Sequence, residues 1–67
     1  MDATVAPDRL LRDVEVADIL GCSRAFVWRL IGAGDLSSIH VGRLRRVPAS
    51  SVARFIAERV AAEGSGG

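Results

Sequence analysis

Lysine is missing from this chain, and cysteine and histidine occur once each. The single cysteine, Cys22, cannot form an internal disulfide, and the single histidine, His40, cannot complete a zinc site with it. No run approaches the ~18 consecutive apolar residues of a membrane span. No charged-then-apolar segment opens the chain, so the expectation is a cytoplasmic protein with no membrane partner. The inventory also lacks a Ser–His–acid set, a glycine-rich phosphate loop and paired carboxylates with pocket spacing. With 67 residues there is room for one domain, and a chain of this size buries only about 60% of its unfolded surface. A deep catalytic cleft with its supporting shell does not fit. No enzyme, no cofactor and no metal are expected. Apolar residues at 49% and charged residues at 25% describe a globular domain, not a disordered one.

What is present is unevenly distributed. Residues 1–23 carry Arg9 and Arg12 against Asp2, Asp8, Asp13, Glu15 and Asp18, a net of −3. Residues 24–46 carry Arg24, Arg29, Arg43, Arg45 and Arg46 against Asp35 alone, a net of +4. The remainder is balanced. All nine basic residues are arginine, whose planar fork suits guanine edges and phosphates better than an ammonium group does.

Residues 1–9 read as a mobile leader, with Leu10 and Leu11 anchoring the entry to a first helix. From Asp13 to Leu20 the residues Val16, Ala17, Ile19 and Leu20 gather on one helical face. Asp13 and Glu15 sit where acids cap a helix or favour its dipole, and Gly21 ends it. After the turn Gly21-Cys22-Ser23, Ser23 is a natural N-cap for a second helix. Val27, Leu30 and Ile31 form its inner face, and Gly34 closes it. Its outer arc holds Ala25, Trp28, Arg29 and Gly32, flanked by Arg24.

Residues 36–47 switch to an alternating pattern around Gly42-Arg43, the signature of a hairpin. A two-residue loop faces Val41 with Leu44, whereas a three-residue loop pairs Ile39 with Val47. Both registers crowd arginines at the tip and returning strand. Pro48 ends that strand and opens a third helix, in which Val52, Phe55, Ile56 and Val60 form a stripe expected to be core. Gly64-Ser65-Gly66-Gly67 reads as a flexible tail. The domain is therefore expected over residues 10–63.

Helix, three-residue turn, helix, two-stranded wing and closing helix make a winged helix-turn-helix, mainly α with a small β-hairpin. In that fold the second helix enters the major groove of DNA, and the wing reaches the backbone or minor groove. The net positive segment covers those two elements.

The run Leu11-Arg12-Asp13-Val14-Glu15-Val16-Ala17-Asp18-Ile19-Leu20-Gly21-Cys22-Ser23-Arg24 resembles the opening of excisionase-type DNA-binding domains, relatives of the mercury-resistance-regulator superfamily. So do Val27-Trp28-Arg29-Leu30-Ile31, Gly34-Asp35-Leu36, Val41-Gly42-Arg43 and Arg46-Val47-Pro48. The resemblance runs in order over residues 10–57. It implies a winged helix-turn-helix that binds repeated sites, bends DNA and helps a phage integrase excise a prophage. It also implies that Trp28 braces the wing and lies against the DNA backbone. Two positions depart from the family pattern. Arg45 stands where an aromatic is usual, adding charge to the wing. Arg12 stands where Ser or Thr commonly starts the first helix, leaving Asp13 to cap.

The candidate DNA contacts follow. Arg24 is expected near base edges and Arg29 on phosphate. Ser23 is first a cap, in a place suited to a phosphate contact as well. Ala25 and Phe26 occupy the first turn, where small or apolar groups meet a thymine methyl. Phe26 has the equal alternative of packing under the wing. Arg43, Arg45 and Arg46 are expected on the wing contact, and the bland reading is solubilisation of a short edge strand. His40 is read as a neutral hairpin residue, with phosphate contact as the lesser reading. Cys22 is packing rather than redox chemistry. The partner is double-stranded DNA, with head-to-tail self-association along it as the route to specificity. Two rivals stay open. One is a small transcriptional regulator using the same domain. The other is a protein-interaction winged helix whose arginines meet an acidic partner.

Overall fold

The computed structural model describes residues 9–64. Residues 1–8 of the expected leader (1–9) and residues 65–67 of the expected tail (64–67) lie outside the described residues. The elements are β1 (Leu10–Leu11), α1 (Asp13–Leu20), α2 (Arg24–Ala33), β2 (Ile39–Val41), β3 (Leu44–Pro48) and α3 (Ala49–Gly64). The architecture is a mainly helical winged helix-turn-helix, as its sequence pattern implies.

Local chemistry sets the helix limits. Arg12 is extended, and its backbone N–H donates to Glu15 Oε1 at 2.8 Å, which closes the start of α1. Asp13 is the first residue inside the helix and takes the Val14 N–H on Oδ1 at 2.7 Å. The capping acid is thus Glu15 reaching back, not Asp13. At the other end Gly21 adopts φ +69°, a left-handed conformation that costs a residue with a Cβ about 1–2 kcal/mol. That conformation lets Gly21 N–H reach Asp18 O and Cys22 N–H reach Ala17 O. Ser23 Oγ then accepts the Phe26 N–H at 3.1 Å as the N-cap of α2. Gly34 ends α2 in the same left-handed manner.

The sheet is three-stranded and antiparallel, in the order β1-β3-β2. The wing therefore has one strand more than the hairpin predicts. Leu10 and Leu11 pair with Pro48 and Val47 instead of only leading into α1. Arg9, the last residue of the expected leader, is held too, its carbonyl accepting the Ala49 N–H at 2.7 Å. The hairpin takes the two-residue loop, with Val41 opposite Leu44, His40 opposite Arg45 and Ile39 opposite Arg46. Gly42 carries the positive φ (+64°) that such a tight loop requires.

β1, α1, α2, β3 and α3 each contribute to the core, as does Leu36 in the connection between α2 and β2, whereas β2 is exposed along its length. Leu11, Val16, Ala17, Val27, Leu30, Leu36, Val47 and Val52 are buried, and Leu20, Cys22, Ile31, Ala49 and Phe55 pack against them. Ser51 is buried and polar, and its Oγ accepts the Ser37 N–H at 2.8 Å, tying α3 to the approach to β2. Three residues expected in the core lie outside it: Ile19, Ile56 (40% exposed) and Val60 (63%). Ile19 is 52% exposed at the border of the α1 stripe, and α1 packs mainly on α2 and β3. For Ile56 and Val60 the reason is length. A 16-residue helix spans about 24 Å, and the body of the domain reaches only the first two turns of α3. Gly64 belongs to α3, not to a tail. No helix among the described residues is long and apolar enough to cross a membrane.

Candidate nucleic-acid interface

The described residues enclose no pocket, so the candidate site is an exposed surface. Its first part is the start of α2. Burial of Val27 and Leu30 turns the opposite side outward, leaving Arg24, Ala25, Phe26, Trp28 and Arg29 exposed. Phe26 and Trp28 are each 42% exposed, large apolar groups held at a polar surface. Arg29 has no partner among the described residues and projects freely. Ser23 is occupied as the cap.

Arg24 and Trp28 are less free. Asp13 Oδ2 accepts from Trp28 Nε1 at 2.9 Å and from Arg24 Nε at 3.3 Å. Both donors come from one side of α2, and the acceptor from the first turn of α1. The Trp28 indole N–H holds the Asp13 carboxyl below the usual carboxylate range, helped by the Val14 N–H and the Arg24 charge and opposed by partial burial. Glu15 is also lowered, first by the Arg12 backbone N–H and then by the charges of Arg12, Arg9 and Arg46. Part of the acidic–basic asymmetry is thus satisfied within the domain.

The wing is the second part. Arg43 sits in the loop, exposed and without a partner among the described residues. Arg45 departs furthest from the picture of free tip charges. Its Nη1 donates to Ser38 Oγ at 2.7 Å and its Nη2 to His40 Nε2 at 3.0 Å. Because a guanidinium can only donate, His40 presents Nε2 as an acceptor. Arg45 therefore stitches β3 to β2. Arg46 is half-buried, and its Nη1 donates to the Arg45 carbonyl at 3.1 Å. Ile39, Val41 and Leu44 are exposed on the wing.

The residue missed by sequence reasoning is Asp13, taken there as a helix-start acid. An acid at the start of α1, with Arg24 and Trp28 one turn apart at the start of α2, was the available signal. It becomes meaningful only once the crossing of the two helices is known.

Comparison with known proteins bears on the same elements. Residues 10–60, from β1 into the last turns of α3, match the helix-turn-helix domain family. The chain belongs to that family. This helix-turn-helix protein is also 39% identical over 61 residues to a probable excisionase of Saccharopolyspora erythraea, an alignment covering 84% of this chain. The chain spans 62% of that relative's length. The likeness to excisionase-type domains is therefore carried by a whole-domain alignment as well as by the motifs in α1, α2 and the wing.

Proposed function

We propose that this helix-turn-helix protein is a sequence-specific, non-catalytic DNA-binding protein of the excisionase type, which bends DNA and assists integrase-driven recombination. The observation that carries the reading is the placement of exposed arginines on the two elements with which such a fold meets DNA. These are the first turns of α2 (Arg24, Arg29) and the wing (Arg43, with Arg45 and Arg46 behind it). Likeness to a protein described as a probable excisionase supports the choice within the family.

In this reading α2 lies in the major groove. Arg24 meets base edges, Ala25 and Phe26 meet thymine methyls, and Arg29 and Ser23 meet phosphate. Trp28 flanks the backbone. The wing reaches across to the neighbouring backbone or minor groove through Arg43 at its tip, with the His40–Arg45 pair and then Arg46 behind it. Contact from both elements at once favours a bent duplex. So small a domain touches few base pairs, and useful specificity comes from several copies on adjacent repeats. The acidic first third of the sequence and its basic middle, residues 24–46, favour head-to-tail packing of copies along DNA, a contact that does not close on itself.

A salt-titrated gel shift of the wild type and Arg24→Ala tests this, using an attachment-site fragment, a promoter fragment and scrambled DNA. The expected result is cooperative, mobility-retarding binding to the attachment site, with Arg24→Ala losing ~1–3 kcal/mol of discrimination. Preference for the promoter fragment, with no effect on integrase-driven excision, would favour a transcriptional regulator. Uniform weak binding with a steep salt slope and no effect of Arg24→Ala would overturn sequence readout.

A further inference from the structure

We propose that Asp13 is a positioning residue for base readout: its carboxylate grips Arg24 by Nε, leaving the two Nη groups as a preset donor pair for guanine. The inference rests on the reading of α2 as the base-reading element and adds what prepares that element before DNA arrives.

The geometry carries it. Asp13 has both oxygens engaged, Oδ1 by its neighbour's backbone and Oδ2 by two side chains of α2. Its side chain is only 21% exposed, whereas that of Arg24 is 67% exposed. An acid serving only as a dipole partner of α1 has no reason to turn toward another helix. Trp28 is the second anchor. Its indole N–H fixes the carboxylate from one turn along α2, so the carboxylate is itself held where it meets Arg24. Guanidinium has two donor edges, one including Nε and one formed by the two Nη groups. Asp13 occupies Nε, and Nη1 and Nη2 of Arg24 have no partner among the described residues. That free pair matches the O6 and N7 acceptors that guanine shows in the major groove.

Two effects follow from one carboxylate. A long exposed arginine otherwise loses rotamer freedom on binding, and preordering removes part of that loss at the correct site. The negative charge beside Arg24 also weakens its attraction to arbitrary phosphates. Asp13 therefore raises the ratio of specific to unspecific binding without touching DNA.

The test uses a duplex enriched by the wild-type protein from a randomised pool, with a scrambled duplex as reference. Both are titrated over a range of salt with Asp13→Asn, Arg24→Ala, Arg24→Lys and the double variant Asp13→Asn/Arg24→Ala. Asp13→Asn keeps an acceptor for Trp28 but loses the charge. It is expected to lower the selected-to-scrambled ratio by about fivefold, and to steepen the salt slope on scrambled DNA by roughly 0.9. On the Arg24→Ala background it should change the ratio by less than about twofold. Arg24→Lys, at an exposed position that does not endanger folding, keeps the charge without the fork. It should lower the ratio with the salt slope unchanged. If Arg24→Ala reduces the ratio while Asp13→Asn leaves it intact, readout stands and the positioning role is overturned. An equal loss on both duplexes overturns it as well, since that is the mark of a merely structural residue. A ratio indifferent to Arg24→Ala and Arg24→Lys removes the reading of α2 itself, and this inference with it.

Discussion

Val16 and Val60 offer a matched pair of substitutions, because each lies on the apolar stripe of its helix and the two differ in what covers them. Val16 is fully buried between α1, α2 and the sheet, whereas Val60 is 63% exposed on the outer turns of α3. Truncating a buried valine to alanine removes two carbons and forfeits about 1.6 kcal/mol of burial, with a further penalty of about 1 kcal/mol for the cavity. A chain of this length is expected to hold only about 3–10 kcal/mol of stability in total. At about 4–8 °C per kcal/mol, Val16→Ala should lower the midpoint by roughly 10–20 °C. Val60→Ala loses only about 0.5 kcal/mol of burial and regains a similar amount from the better helix propensity of alanine. Its midpoint should stay close to that of the wild type. Thermal melts followed by far-ultraviolet circular dichroism, repeated at several protein concentrations, measure both. A loss at Val60 as large as that at Val16 would refute the reasoning. If that loss also varied with concentration, the α3 stripe would be covered by a second copy in solution.

Other expectations follow from single contacts. Ser23→Ala removes the cap of α2 and should cost about 1 kcal/mol, read as a lower melting midpoint. Gly42→Ala places a Cβ at φ +64° and should cost about 1–2 kcal/mol, with a larger effect on DNA affinity than on helix content. Asp13 and Glu15 both have lowered folded-state pKa values, so their contribution is present above the unfolded carboxylate range and is lost as pH falls from there through the lower folded values. Melts should therefore decline below about pH 5, and Asp13→Asn should flatten that decline. Ser51→Ala strips the Ser37 N–H of its acceptor and should cost about 1–3 kcal/mol by the same melts.

Much of the fold was legible because its signals are local. Gly21, Ser23 and Gly34 mark helix limits through bonds made within a few residues, and the Gly42-Arg43 turn is equally local. The two possible hairpin registers were not separable by pattern, because each satisfies the apolar alternation over so short a segment. Strand β1 was not visible. Two leucines have no period, and their partners Val47 and Pro48 lie far along the chain. The candidate site divides in the same way. The exposed arginines of α2 and the wing follow from periodicity and charge. The use of the Arg45 fork to join Ser38 and His40 follows from strand pairing and could not be counted in advance.

Periodicity states which side of a helix is apolar, and caps and turns state where it starts and stops. On those grounds the sequence by itself determined the order of the elements after β1, the helix-turn-helix and the concentration of positive charge on α2 and the wing. How far each apolar stripe is covered was decided by tertiary structure, since coverage depends on the reach of neighbouring elements. That is why Val16 and Val52 are core while Ile56 and Val60 are surface. The meeting of Asp13 with Arg24 and Trp28 was decided in the same way, because the angle at which α1 crosses α2 is a property of packing and is written in neither helix alone.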